Sequence, residues 1–274
     1  MIIDFHTHIF PDAIAARTIE MLKSFSNNSV AYTDGTLAGL KVSLARYGID
    51  YALVLPVATA PHQFDSVNRF ARLVNQDDRL FSFGGIHPAN DHLEERLRSL
   101  RDEGFRGIKL HPDYQKVFID DPRNVKILEI CLSLGLYVTI HAGVDVGFPD
   151  VVHCPPRKMR SVLRSLYGTA KDPDPKIILA HMGGWELWDD VQALLCGENV
   201  LLDLSYTLGK AEDQQVLDII RCHGADRVLF ASDSPWSNPR EDADRLNALP
   251  LSQAEKDKIF YQNACSILQI PCLR

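Results

Sequence analysis

Ile2-Ile3-Asp4-Phe5-His6-Thr7-His8 is a short apolar run that closes on two histidines one residue apart. A β-strand sends alternate side chains to opposite faces, so His6 and His8 point the same way, about 7 Å apart along the strand at roughly 3.3 Å per residue. Two imidazoles on one face at a strand end can hold a transition metal. Alone, the pair reads equally as a surface or core feature, and the rest of the chain has to decide.

Stretches of the same kind recur to the end. With 2–6 as the first, the others are 51–57, 81–86, 107–111, 137–141, 176–181, 200–205 and 228–233, eight in all. Most are short, rich in Val, Ile, Leu, Tyr or Phe, and almost continuously apolar. Parallel strands covered on both faces have this character. Between them the apolar spacing is helical. Leu37, Leu40 and Leu44 run to a stop at Gly48, and Leu93, Leu97 and Leu100 to Gly104, with Glu94 and Arg98 paired on the outer face. Val125, Leu128 and Leu132 precede Gly135. Pro156 opens a helix striped by Met159, Val162, Leu163 and Leu166 and closed by Gly168. Val216, Leu217 and Ile220 precede Gly224, and 252–269 reads as two further helices. Alternating strand and helix predicts an α/β fold with a parallel sheet, and eight strands predict closure into a (β/α)8 TIM barrel. An open doubly wound sheet is the alternative, but no G-x-G-x-x-G follows any strand. The chain has 274 residues and fits a barrel of about 250. No domain boundary appears between 1 and 274. The polar segment 27–36 and the loop 143–156 are longer than a bare connection needs, and the second directly follows a strand end, where it could cover a site.

Composition narrows the function. The net charge of −7 and the absence of any Lys/Arg run disfavour nucleic acid as a partner. Six scattered cysteines with no C-x-x-C read as reduced thiols, and with no leader-like start they predict a cytoplasmic protein. No apolar run reaches the roughly 18 residues of a membrane span. A small molecule is the expected partner. Oligomeric state stays open, a homodimer included.

The polar residues then fall into place. His6, His8, His87, His111, His141 and His181 all lie at C-terminal strand ends, as does Asp233, whereas His62, His92, His153 and His223 fall in helices or loops. In a barrel the C-terminal rim is where chemistry sits. His141 alone would be a satisfied core residue; beside His6 and His8 it is a third nitrogen for a metal. Asp233 could cap the following turn or ligate a metal and its water. His181, before Met182-Gly183-Gly184, could orient the glycine turn, or act as ligand or base. Lys109 shares parity with His111 on one strand. It could be a cation for an anionic substrate, a carboxylated ligand bridging two metals, or a salt-bridge partner. His111 and His87 read as pocket groups, and Trp185, Tyr206 and Trp236 as packing residues that could wall a substrate.

At these residues the chain resembles the amidohydrolase superfamily, and within it the amidohydrolase-related (amidohydrolase 2) branch of metal-dependent hydrolases and decarboxylases. The likeness rests on Asp4-Phe5-His6-Thr7-His8, Gly107-Ile108-Lys109-Leu110-His111-Pro112, His141-Ala142-Gly143, His181-Met182-Gly183-Gly184, Ser232-Asp233-Ser234-Pro235 and the closing Gln262-Asn263-Ala264. It implies His6, His8, His141 and Asp233 as ligands of one divalent metal, usually Zn2+ with Mn2+ as an alternative. It implies His181 at the metal-bound water. In binuclear relatives a strand-four lysine is carboxylated and histidines like His141 and His181 hold a second metal, so Lys109 leaves one metal or two open. TatD-type nucleases also begin with His-x-His, but their glutamate-bearing strand-four motif is absent here. The implied reaction is hydrolysis of a small amide, ester or lactone by metal-activated water, with Asp233 and His181 catalytic and Lys109 or His111 binding an anionic substrate. Decarboxylation of an aromatic or unsaturated carboxylic acid is the second reading, and a barrel that binds without chemistry the third.

Overall fold

Apolar stretches too short for helices become the staves of a barrel. The computed structural model describes residues 1–26 and 29–272, so Asn27 and Asn28, at the start of the polar segment 27–36, lie outside the described residues. The strands are β1 (Ile3–Thr7), β2 (Tyr51–Val54), β3 (Leu80–Ser82), β4 (Gly84–Gly85), β5 (Gly107–Leu110), β6 (Tyr137–Ile140), β7 (Ile177–Leu179), β8 (Leu201–Asp203) and β9 (Val228–Leu229). All pairings are parallel, in the orders β1-β2-β3 and β4 through β9. The Phe5 amide donates to the Phe230 carbonyl and the Asp233 amide to the His6 carbonyl, each at 2.9 Å, and these bonds close last strand on first. The fold is the (β/α)8 barrel that the alternation predicts.

The third stave departs from expectation. The stretch 81–86 is split at Phe83 into β3, which pairs with β2, and β4, which pairs with β5. Pro56 has no amide to continue the ladder, so β2 stops at Val54 rather than at 57. Asn68, on the helix Phe64–Val74, takes the strand's place. Its Nδ2 donates to the Gly85 carbonyl at 2.9 Å and its Oδ1 accepts the Gly85 amide at 2.9 Å.

The core divides in two. Ile3, Phe5, Leu53, Leu55, Phe83, Ile178, Leu229 and Ala231 fill the barrel interior, plugged from below by Ala264, Cys265, Ile267 and Leu268 of the closing helix. A larger shell packs the outward faces of the strands on the helices. The predicted helices are present, among them Leu37–Tyr47, capped by the Thr36 side chain and ended by Gly48 in the left-handed region. All six cysteines are unpaired.

One irregularity positions the site. The β1–β2 register slips between Asp4 and Thr7. Asp4 faces away from the interior, accepting the Ser232 amide at 2.9 Å, and Phe5 points inward. Strict alternation would then send His6 and His8 outward. The bulge absorbs one residue, and both histidines turn to the rim of the interior.

Candidate metal centre

The tautomers of His6 and His8 follow from their outer neighbours. His6 Nδ1 is 2.9 Å from Asp203 Oδ2, and His8 Nδ1 is 2.9 Å from the Leu55 carbonyl. Both neighbours accept only, so each Nδ1 carries the proton and each Nε2 presents a lone pair. Those lone pairs face one another and a carboxylate: His6 Nε2 to His8 Nε2 is 3.1 Å, His6 Nε2 to Asp233 Oδ1 3.4 Å, and His8 Nε2 to Asp233 Oδ1 3.2 Å. Double protonation of His6 is opposed by burial and then by Lys109, which hold it well below the usual imidazole range. Three acceptors in a triangle need a cation at their centre. Ligands bonded to one ion at about 2.0–2.2 Å stand roughly 3 Å or a little more apart, so the residues fit a divalent metal. Asp233 is set at φ 69° by the turn that ends the last stave. Burial works to raise its pKa, but the His8 hydrogen bond and the charges of His6, His8 and His181 keep it below the usual carboxylate value.

Lys109 and His181 border this triad. Lys109 is 1% exposed and its Nζ lies 3.3 Å from His6 Nε2. Burial lowers its pKa to about 8 against the pull of Asp203 and Asp233. His181 Nδ1 donates to the Ser205 carbonyl at 3.0 Å, so its Nε2 presents a lone pair, 3.0 Å from His141 Nδ1. His141 is therefore turned toward His181 and stacked on His111, ring centroids 4.2 Å apart and 9° from parallel. The structure gathers His6, His8 and Asp233 at one point, with Lys109 beside them, and places His141 and His181 as a neighbouring pair.

A family model described as Amidohydrolase matches residues 3–270. The chain belongs to this amidohydrolase family. A gamma-resorcylate decarboxylase of Rhodococcus jostii is 26% identical over 115 residues, a match spanning 36% of this chain and 35% of that protein. The chain thus aligns with about a third of that curated relative's length. Among solved structures, 2,6-dihydroxybenzoate decarboxylase from Rhizobium superposes with a TM-score of 0.67 at 18% identity, covering 98% of each chain. A 5-carboxyvanillate decarboxylase from Novosphingobium aromaticivorans, complexed with manganese and 4-hydroxy-3-methoxy-5-nitrobenzoic acid, gives 0.69 at 16% identity, covering 98% of this chain and 96% of that one. At these identities the likeness is one of fold.

Around the amidohydrolase centre the predicted wall residues sort into two groups. Trp185 is buried, 5.0 Å from Tyr206 between ring centroids, and its Nε1 has no partner. Trp236 is half-buried and its amide donates to the Asp233 carbonyl at 2.9 Å. His87 is not brought to the triad: its Nδ1 accepts the Ala89 amide at 3.0 Å and fixes its own turn. Sequence reading missed Asp203, which orients His6 and also accepts the His181 amide at 3.2 Å. A signal was available, since Asp203 is the one charge in the apolar run 200–205. It also missed Asp113, Asp145 and His153. Asp113 and His153 pair at 2.8 Å, and Asp145 Oδ2 lies 3.5 Å from His111 Nε2. No helix among the described residues is long and apolar enough to cross a membrane.

Proposed function

We propose that this amidohydrolase is a metal-dependent decarboxylase of a small hydroxyaryl or unsaturated carboxylic acid, in preference to a hydrolase of amides or lactones. The observation that carries the reading is an acceptor-only triad next to a buried ammonium. His6, His8 and Asp233 would hold a divalent ion, and Lys109 adds positive charge 3.3 Å from one ligand atom. Such a pocket attracts a carboxylate. The decarboxylase relatives support the direction of chemistry, and the manganese in one neighbour's complex supports Mn2+ as well as Zn2+ as the ion.

A bound ion would supply a Lewis acid that orients the substrate and keeps a ring hydroxyl ionised, so that the ring can accept a proton at carbon. The protein's own groups do the rest. Lys109 binds the carboxylate. Asp203 holds His6 in the tautomer the site needs. Asp233, ionised at rest, takes up a proton and delivers it to the carbon that bears the carboxylate; the new C–H bond forms, the C–C bond breaks, its electrons return to the ring and CO2 leaves. Trp185 and Tyr206 wall the ring.

The test is incubation of Mn2+- or Zn2+-loaded protein with ortho-hydroxybenzoates, following CO2 release and deuterium from D2O at the vacated ring carbon. The expected result is both. Absence of CO2, together with oxygen-18 from water entering the products of a lactone or amide, would instead establish the hydrolase.

A further inference from the structure

Asp203 ends β8, Ser205 follows it by two residues, and both are fully buried. Leu204, between them, packs outward into the shell. The Ser205 hydroxyl and amide both donate to Asp203 Oδ1, the amide at 3.0 Å. With its proton committed there, the hydroxyl has only lone pairs left, and His181 uses them. His181 Nδ1 lies 3.1 Å from Ser205 Oγ and 3.0 Å from the Ser205 carbonyl. Both of these accept, so Nδ1 carries the proton and Nε2 the lone pair. The His181 amide donates to Asp203 Oδ1 and Ser205 Oγ, each at 3.2 Å. Those bonds hold His181 at φ 57°, a region uncommon for any residue but glycine. The other oxygen of the same carboxylate, Asp203 Oδ2, accepts from His6 Nδ1 at 2.9 Å. One carboxylate thus serves two imidazoles whose ring centroids are 5.6 Å apart. Burying a carboxylate is costly unless its oxygens are filled, and here both histidines help to fill them.

We propose that Asp203 and Ser205 are one positioning unit for the metal centre, fixing His6 and His181 together through a single carboxylate. The unit sets the ligand nitrogen of His6 and the Nε2 lone pair of His181 at once. Among the described residues the Ser205 hydroxyl bonds only Asp203 and His181, no member of the triad. Under this unit, which rests on the metal centre proposed above and not on the reaction assigned to it, a change at Ser205 still reaches the ion. Asp203→Asn reaches it more directly. An amide can turn its NH2 group to His6 Nδ1 and drive the ring proton to Nε2, the nitrogen the ion needs.

Two measurements test this without substrate, so failure of the decarboxylase reading leaves them standing. In metal-free protein the nitrogen-15 shifts of the rings, assigned with His6→Gln and His181→Gln, should show both histidines protonated at Nδ1. Either ring protonated at Nε2 overturns the unit. Asp203→Asn should move the His181 shifts as well as those of His6, and a change at His6 alone overturns the shared role. Mn2+ or Zn2+ affinity is then measured by competition with a chromophoric chelator. Asp203→Asn should weaken it about 10–100-fold. Ser205→Ala should weaken it about fivefold, the order of one hydrogen bond, and the double variant should lose no more than Asp203→Asn alone. Unchanged affinity in either single variant, or losses that multiply in the double variant, overturns the unit. The tautomers of the wild type decide should either variant fail to fold.

Discussion

Two polar clusters share the barrel rim, and they are built differently. His6, His8 and Asp233 sit on the first and last staves, and their supports are equally rigid: Asp203 at the end of β8 and a carbonyl after β2. The other, where His141 Nε2 lies 3.8 Å from Asp113 Oδ2 and 3.7 Å from Asp145 Oδ2, combines one strand-end residue with a short helix, Pro112–Gln115, and a loop. The first cluster is fixed by the same hydrogen bonds that close the barrel. The second exists only while the loop 143–156 is folded down on it. Side chains held by strands are pre-set for chemistry, whereas those held by loops couple chemistry to local order.

Substitutions can test that contrast, beginning with the largest effect. Asp233→Asn should cut turnover about 10²–10⁴-fold, the usual range for a lost proton carrier, with the thermal midpoint nearly unchanged. Full activity in steady-state assays would remove Asp233 from the proton path. His223 supplies the contrast of a histidine that is structural only. Its Nδ1 accepts the Gly197 amide at 3.1 Å and its Nε2 donates to the Val200 carbonyl at 2.9 Å, so neither nitrogen is left over. Burial lowers its pKa from 6.5 to about 4. The unfolded chain binds this proton first, so stability is intact above pH 6.5 and falls as pH drops toward 4, by about 3 kcal/mol in all. Denaturant midpoints across that range should show the fall, and His223→Gln should flatten it.

Gly143→Ala probes the loop. Gly143 has φ +90°, and a Cβ there would lie 2.0 Å from the Trp185 amide nitrogen. A loss of about 2 kcal/mol is expected, with hydrogen-exchange protection of the loop 143–156 falling before that of β1. Equal loss at both would erase the distinction between strand-held and loop-held sites. Lys109→Met should have the smallest effect, raising KM for a carboxylate substrate about tenfold, the order of one hydrogen bond to a charged group. A fall in kcat with KM unchanged would place Lys109 in the chemical step instead.

The first cluster was legible in sequence because strands carry a strict alternation. His6 and His8 announce a shared face, and Asp233 ends another apolar run. The bulge that delivers them was not legible, since Phe5 and His6 both fit a strand and only packing shows which one the interior claims. Asp113 and Asp145 were passed over for a related reason. A carboxylate in a loop looks solvated until the folded chain shows what covers it. The helix Phe64–Val74 went unread for lack of a simple leucine repeat, and with it the use of Asn68 as a substitute strand partner.

The seam between first and last staves also sets an order of events in time. Asp4 and Ser232, which bond across it, are 228 positions apart. A ribosome releases the His-x-His pair long before Asp233 exists. The emerging chain can offer an ion two nitrogens but no third ligand until its final strand is made. Selective loading then belongs to the finished barrel, and a truncated chain ending short of β9 should capture metal no better than an unfolded peptide.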